Sequence, residues 1–554
     1  MTAAPVAPAG SRTAPARHDG GPAGADGPGG PGRRRDPLRP PVDPRRRVLR
    51  WLAGGFVLLA LVASSAIGLD LPTLVAGGED VANLLGRMVP PELSDPARIA
   101  TLALDTVLMA FLGTVLATLL SVPLAFLAAR TTTPHPAVAA VARGIITFCR
   151  AVPDLVFAVL FVRALGLGVL PGVLALALHS VGMLGKLFAD AVESADPGPR
   201  EAVRAVGVGR VRELLNGVVP QVVPAWVSAF VYRVDINLRT SVVLGFVGAG
   251  GIGFALQDAL RGLVYPKAMG IVLVILVLVA GMELLSVAIR RTLLAPKNPR
   301  YARDRAVRFL SGAAAAALLV VSFVRLGIDP FALVTSVPDL LAVAGRTFPP
   351  DLTTLGPALW EALLQTLAIG LSATGIGVLL SLPLGLLAAR NVAPHPWVYA
   401  AARAAILVVR AIPELVLAVV FVAAVGLGPV AGAVALGIGS IGFLGKLVAD
   451  AVEEVPPGPA EAVRSVGGGW WKVLFSAVLP QGMPAIVGSG LYLLDVNIRT
   501  STILGIVGAG GVGFLLFEAV RTLHFQVAGG IVLLVFVVVL LIERLSGWIR
   551  AQLS

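Results

Sequence analysis

At 554 residues, 56% hydrophobic and only 14% charged, with a mean hydropathy of +0.88, the chain is too apolar for water; soluble proteins carry about 25% charged residues, so lipid is the solvent for most of it. The net charge of +12 invites a nucleic-acid reading, but the basic residues fall in short loops and an N-terminal tail with no interleaved aromatic face, which argues against nucleic acid as a partner. A lone cysteine, Cys149, and five histidines without ligand spacing argue against an internal disulfide and a metal centre.

Residues 1–47 are Pro, Gly, Ala and Arg with almost no bulky apolar residue. Such a segment cannot offset its ordering entropy by burial, and is predicted to be a disordered cytoplasmic tail. Arg45-Arg46-Arg47 then precedes an apolar run from Val48 to Leu69. A secretory signal has the same layout, with Ala63-Ser64-Ser65-Ala66 as a conceivable cleavage site. The run is nevertheless about 20 residues, enough for roughly 30 Å of hydrocarbon, and a similar basic-then-apolar segment recurs at 306–326, so a retained first span is expected. Further apolar stretches follow at 101–129, 145–169, 171–190, 219–245 and 268–290, then at 306–326, 358–389, 404–428, 430–450, 479–505 and 528–549, making twelve spans. Lys and Arg in short loops set orientation. The tail arginines, Arg130, Arg143, 196–213, Arg290 to Arg308, Arg390, Arg403 and 456–472 all fall on one side when the N-terminus is cytoplasmic, leaving 70–98 and 327–357 outside.

The chain repeats itself at an offset of 260. Glu201-Ala-Val-Arg-Ala-Val-Gly207 returns as Glu461-Ala-Val-Arg-Ser-Val-Gly467, and NLRTSVVLGFVGAGGIG at 237–253 returns as NIRTSTILGIVGAGGVG at 497–513. Arg130/Arg390, Lys186/Lys446 and Glu283/Glu543 keep the same offset. Six spans per copy is an even number, so both copies enter the membrane the same way round. They are expected to relate by a pseudo-twofold axis along the membrane normal, with a path between them.

Between the fourth and fifth spans of each copy lies a hydrophilic insertion, at 195–220 and 455–480. Each opens on Pro and Gly, reads Glu-Ala-Val-Arg at the start of a short helix, breaks at Gly207 or Gly467, continues in a second amphipathic helix, and reaches Pro220 or Pro480 at the next span. A helix merely lying on lipid is the bland explanation; two matched surface helices suggest a docking partner instead.

These insertions resemble the coupling motif of ABC-importer permeases: Glu-Ala-Ala, three residues, Gly, nine residues, then Ile-x-Leu-Pro. Glu201, Ala202, Gly207 and Pro220 fit that spacing, as do Glu461, Ala462, Gly467 and Pro480; Val203 and Val463 replace the third residue, Gly217 and Ala477 the Ile, and Val219 the Leu. Both halves resemble, more narrowly, permeases of phosphonate-type importers, through Arg150-Ala-Val-Pro-Asp154 and Arg410-Ala-Ile-Pro-Glu414, and through Asp235-x-Asn237-x-Arg239 and Asp495-x-Asn497-x-Arg499 leading into the glycine segment. That glycine segment also occurs in related importers, such as those for methionine. The resemblance implies an all-α polytopic bacterial inner-membrane protein with two tandem six-helix permease domains of type I, at 48–295 and 300–554, and both termini cytoplasmic. It further implies two ATP-binding subunits on the cytoplasmic face, an extracytoplasmic solute-binding protein, and no cofactor in this chain, with ATP and Mg held by the partner ATPases. The chain would be a transport subunit and not an enzyme, and its cargo a phosphonate or related phosphorus oxyanion, with methionine the alternative. A twelve-span secondary transporter would also arise by duplication, but gives no reason for two docking loops.

Two look-alikes are set aside. Gly248-x-Gly250-x-x-Gly253 and Gly508-x-Gly510-x-x-Gly513 match the dinucleotide fingerprint literally, but the βαβ setting is missing and close helix packing or a bend is expected. Gly185-Lys186 and Gly445-Lys446 hint at a phosphate loop, yet Ser180 and Ser440 replace its first glycine.

Intramembrane charges are costly and so are usually paired or functional. Arg150/Asp154, Lys186/Asp190 and Asp235/Arg239, with Arg410/Glu414, Lys446/Asp450 and Asp495/Arg499, are spaced i,i+4, which on one helix pairs them with each other. The functional alternative is that Arg239 and Arg499, with Asn237 and Asn497, line the path, since a guanidinium matches phosphorus oxyanions. His179 and Arg163 face Gly439 and Ala423 in the other copy, which argues against a symmetric role for them.

Overall fold

The computed structural model describes residues 44–294 and 302–553; the expected tail lies almost wholly outside the described residues. One compact unit, Trp51–Ser554, holds both copies. In the first copy the helices are α1 Pro44–Ala66, α2 Leu71–Arg87, α3 Pro96–Ala128, α4 Pro136–Ala151, α5 Asp154–Leu165, α6 Val169–Glu193, α7 Pro197–Ala205, α8 Arg210–Glu213, α9 Val219–Gly245, α10 Gly251–Arg261 and α11 Tyr265–Leu294. The second copy runs α12 Ala302–Leu326, α13 Ala332–Thr335, α14 Val337–Arg346, α15 Pro357–Leu387, α16 Pro396–Ala411, α17 Glu414–Val425, α18 Pro429–Glu453, α19 Gly458–Ser465, α20 Trp470–Val473, α21 Leu479–Leu504, α22 Val512–Arg521 and α23 Phe525–Leu553. No strand occurs among the described residues.

Among the described residues nine helices are long and apolar enough to cross a membrane, or up to eleven when each of two bent pairs is one span. The described apolar part of α1, Ala53–Ala66, stands where the remaining span is expected. The bent pairs correct the expectation of continuous spans at 145–169 and 404–428: α4 meets α5 at 90° and α16 meets α17 at 82°. Pro153 and Pro413 are the cause. Proline removes an N–H and pushes the residue before it out of the helical region, and Val152 and Ile412 are extended, with ψ of 125° and 120°. The segments at 70–98 and 327–357 hold helices α2, α13 and α14, whereas the sequence suggested only loops.

In each copy three long helices pack on one another, α3, α6 and α9 in the first and α15, α18 and α21 in the second. The copies interlock. Helix α12 packs on α3, and Ala60 of α1 sits against Gly375 of α15. Helix α2 packs on α17, and α14 on α5. One apolar core therefore runs through both copies, joining Met109, Leu155 and Leu176 to Leu516 and Val535. The glycine segment is the turn from α9 into α10. Gly248, Gly250 and Gly251 have φ of +91°, +81° and +73°, a region glycine enters without steric cost. A Cβ on Gly253 would collide with the Val242 carbonyl, and one on Gly513 with that of Thr502.

Candidate functional site

Two regions carry the functional expectations: the paired loops after α6 and α18, and the charges inside the helical body. Helices α7 and α19 end where Gly207 and Gly467 turn to φ of +76° and +78°. Glu201, Ala202 and Gly207, and likewise Glu461, Ala462 and Gly467, are exposed, as are Pro220 and Pro480. Beside them Val206 and Val466 are 76% and 83% exposed. Each loop thus shows a small-residue face ending in a bare valine. The following helix differs from the expected separate amphipathic helix. Helix α8 continues through one wide π-helical turn, Leu214–Val218, straight into α9. Pro220 lacks the N–H that a regular α-turn would place there, which favours the wider turn.

The two loops are fastened by different chemistry. In the first copy Arg200 donates to Glu213 (2.5 Å) and to the Thr131 carbonyl (2.6 Å), while Arg204 pairs with Glu213 at 3.3 Å. Arg210 donates to the carbonyls of Thr132 and Thr133, both at 2.8 Å. In the second copy Ala460 and Val473 stand in for Arg200 and Glu213 and are buried at 7% and 5% exposure. The Trp470 indole donates to the Val392 carbonyl at 2.7 Å, doing the work of Arg210. Its neighbour Trp471 stacks on Phe475, and both are exposed.

Three expected i,i+4 pairs form: Lys186–Asp190 at 2.7 Å, which is exposed, and inside the body Arg239–Asp235 at 3.1 Å and Arg499–Asp495 at 2.9 Å. The pairing of Arg150 with Asp154 and of Arg410 with Glu414 does not, because each pair straddles the Pro153 or Pro413 bend. Arg150 instead bonds Glu543 on α23, and Arg410 lies 3.7 Å from Glu283 on α11. Glu283 is also 3.8 Å from Arg239. The Arg150–Glu543 and Arg410–Glu283 bridges each join one copy to the other, and the two are reciprocal, as a twofold axis requires. Asp450 pairs with Arg403 at 3.5 Å rather than with Lys446. Glu283 and Glu543 were visible only as a repeated pair in the sequence; no local spacing joins them to arginines some 130 or 390 residues away.

Asn237 and Asn497 lie in helix packing. The Asn237 amide donates to Thr114 Oγ1 (2.9 Å) and Ser180 Oγ (3.0 Å), tying α9 to α3 and α6. Asn497 does the same with Thr374 (3.0 Å) and Ser440 (3.2 Å). Such nodes bind membrane helices where apolar contact alone supplies little preference. Asp154 and Glu414 open α5 and α17 and lie within electrostatic reach of each other. Among the described residues no group of three or more His, Cys, Asp or Glu is placed to hold a metal ion.

The family model for binding-protein-dependent transport system inner membrane components matches residues 121–297 and again 381–553. The chain belongs to that family. The duplicated family match begins at the repeat offset read from the sequence. Among curated relatives, the phosphate-import permease protein PhnE of Mycolicibacterium smegmatis is 68% identical over 493 residues, covering 89% of this chain and 93% of that one. The phosphite transport system permease protein PtxC of Stutzerimonas stutzeri is 42% identical over 262 residues, 45% of this chain and 95% of its own. A putative cryptic phosphonate transport system permease protein of Escherichia coli, PhnE2, is 42% identical over 118 residues, 21% of this chain and 97% of its own. The phosphite relative thus fits within about half of this chain, whereas the mycobacterial one matches nearly end to end. This multi-pass inner-membrane permease is therefore a two-copy member of its family.

Proposed function

We propose that this chain forms the translocation path of an ATP-driven importer for a phosphorus oxyanion such as phosphate, phosphite or phosphonate. The observation that carries the cargo assignment is the 68% identity to a phosphate-import permease over 93% of that protein. The loops at 195–220 and 455–480 face the cytoplasm, and a separate ATPase subunit grips each through Glu201, Ala202 and Gly207 or Glu461, Ala462 and Gly467. A small-residue surface with an exposed valine at its tip suits insertion into a groove. The partner ATPases bind and hydrolyse ATP with Mg. Their closure draws the loops together, the halves rock about their reciprocal bridges, and a solute-binding protein outside delivers the cargo. The domains span 48–295 and 300–554, with both termini cytoplasmic.

The test is uptake by vesicles reconstituted with the chain, its ATPase and its binding protein. ATP-dependent entry of phosphate, phosphite or a phosphonate is expected, and entry of methionine alone would refute the cargo assignment. Orientation is read separately. Cys149 is 2% exposed, so a cysteine placed at Val206 or Val466 in a Cys149→Ser chain becomes the reactive thiol. Labelling only from the cytoplasmic side is expected; labelling only from outside would overturn the topology.

A further inference from the structure

Resting on that reading, the interior charges single out one residue. The four arginines Arg150, Arg239, Arg410 and Arg499 are matched by Glu543, Asp235, Glu283 and Asp495, so their charge is spent on holding helices and joining copies. Among the described residues one lysine or arginine is fully buried, Arg233 on α9, at 3% exposure. Its Nε donates to Ser180 Oγ (2.8 Å) and its Nη1 to the Met183 sulfur (3.3 Å), while Nη2 has no hydrogen-bond partner. No carboxylate in the described residues comes within ion-pair distance of it. A desolvated cation with an idle donor inside a membrane protein marks a functional position by default.

Its surroundings face the other copy. Arg233 lies within electrostatic reach of Asp154, Tyr232 and Tyr492, and His179 within reach of Asp154, Arg233 and Arg499. His179 Nδ1 contacts the Val152 carbonyl at 3.1 Å, at the bend of the broken span. The second copy places Gly439, Phe443 and Leu493 where the first has His179, Met183 and Arg233. At these three positions the second copy is therefore apolar, and a packing role would not need the charge, since leucine fills the equivalent place with 1% exposure.

We propose that Arg233 is the transient oxyanion contact of the path, supplied by the first copy alone. Its idle Nη2 donates to a phosphorus oxyanion as the halves open. Asp154, within reach but not in contact, competes for the guanidinium and keeps the cargo from being held too tightly to leave.

Arg233→Leu and Arg233→Lys complexes, with the ATPase and binding protein, test this in reconstituted vesicles. Arg233→Leu copies the second half, so assembly and melting temperature should persist. Its maximal uptake rate is expected to fall about tenfold or more, the loss of one charge-assisted hydrogen bond, with little change in the concentration of loaded binding protein giving half-maximal rate. Arg233→Lys should recover part of the rate, which a purely steric role would not allow. Uptake by Arg233→Leu at the wild-type rate overturns the proposal, as does equal loss in Leu and Lys variants. If the wild-type complex moves no phosphorus oxyanion, the cargo assignment fails, a result distinct from these.

Discussion

The joint between α7 and α8 offers a calculable perturbation, because the second copy is a natural answer to what happens without its charges. Arg200 is 19% exposed and Glu213 only 4%. Glu213→Val leaves Arg200 largely buried with just the Thr131 carbonyl, and partial solvation reduces the cost of an orphaned buried ion to about 2.5 kcal/mol. Arg200→Ala leaves Glu213 with Arg204, which is 67% exposed, and should cost about 1.5 kcal/mol, the range of a charged hydrogen bond. The double variant reproduces Ala460 and Val473 and should cost only about 1 kcal/mol, since apolar replacement of an ion pair is often near neutral. The coupling is then about 3 kcal/mol. Trypsin cleavage of the loop at Arg204, Arg210 or Arg212 under native conditions reads local opening. Glu213→Val should be cut roughly 50-fold faster than wild type, and the double variant within about fivefold of it. A double variant cut as fast as Glu213→Val would refute the claim that the two copies fasten equivalent joints by interchangeable chemistry.

Reversing the bridge between copies should separate charge from shape. Glu543→Arg is expected to impair assembly by setting a cation against Arg150, and adding Arg150→Glu should restore much of the melting temperature; no rescue would remove the bridge from the account. Gly253→Ala should prevent α10 from closing on α9 and lower the folded yield in membranes sharply, whereas Gly209→Ala, with nothing within 4 Å of its Cβ, should be silent. Equal yields from the two would show that the turn tolerates a side chain.

The periodicity of apolar runs and the offset of 260 residues determined most of the architecture from the sequence alone. Hydrocarbon thickness fixes span length, and a crossing helix must be apolar whether its surface meets lipid or other helices, so hydropathy marks the spans without saying which of them are buried. The loops at 195–220 and 455–480 were legible for a related reason: glycine and proline act locally, and Gly207 and Pro220 shape their own backbone. Proline also explains where that reading fell short, since Pro153 and Pro413 broke spans that hydropathy alone leaves continuous. Tertiary structure decided the charges. Spacing of i,i+4 predicts partners only on an unbroken helix, so Asp235 and Arg239 behaved as expected while Arg150 turned to Glu543 across the copies. The hydrogen-bond partners of Asn237, Thr114 and Ser180, arrive from two other helices, which no local spacing shows. Arg233 looked unremarkable in sequence because nothing nearby marks it. What sets it apart lies in space: burial, no carboxylate at ion-pair distance among the described residues, and a leucine in the mirrored place.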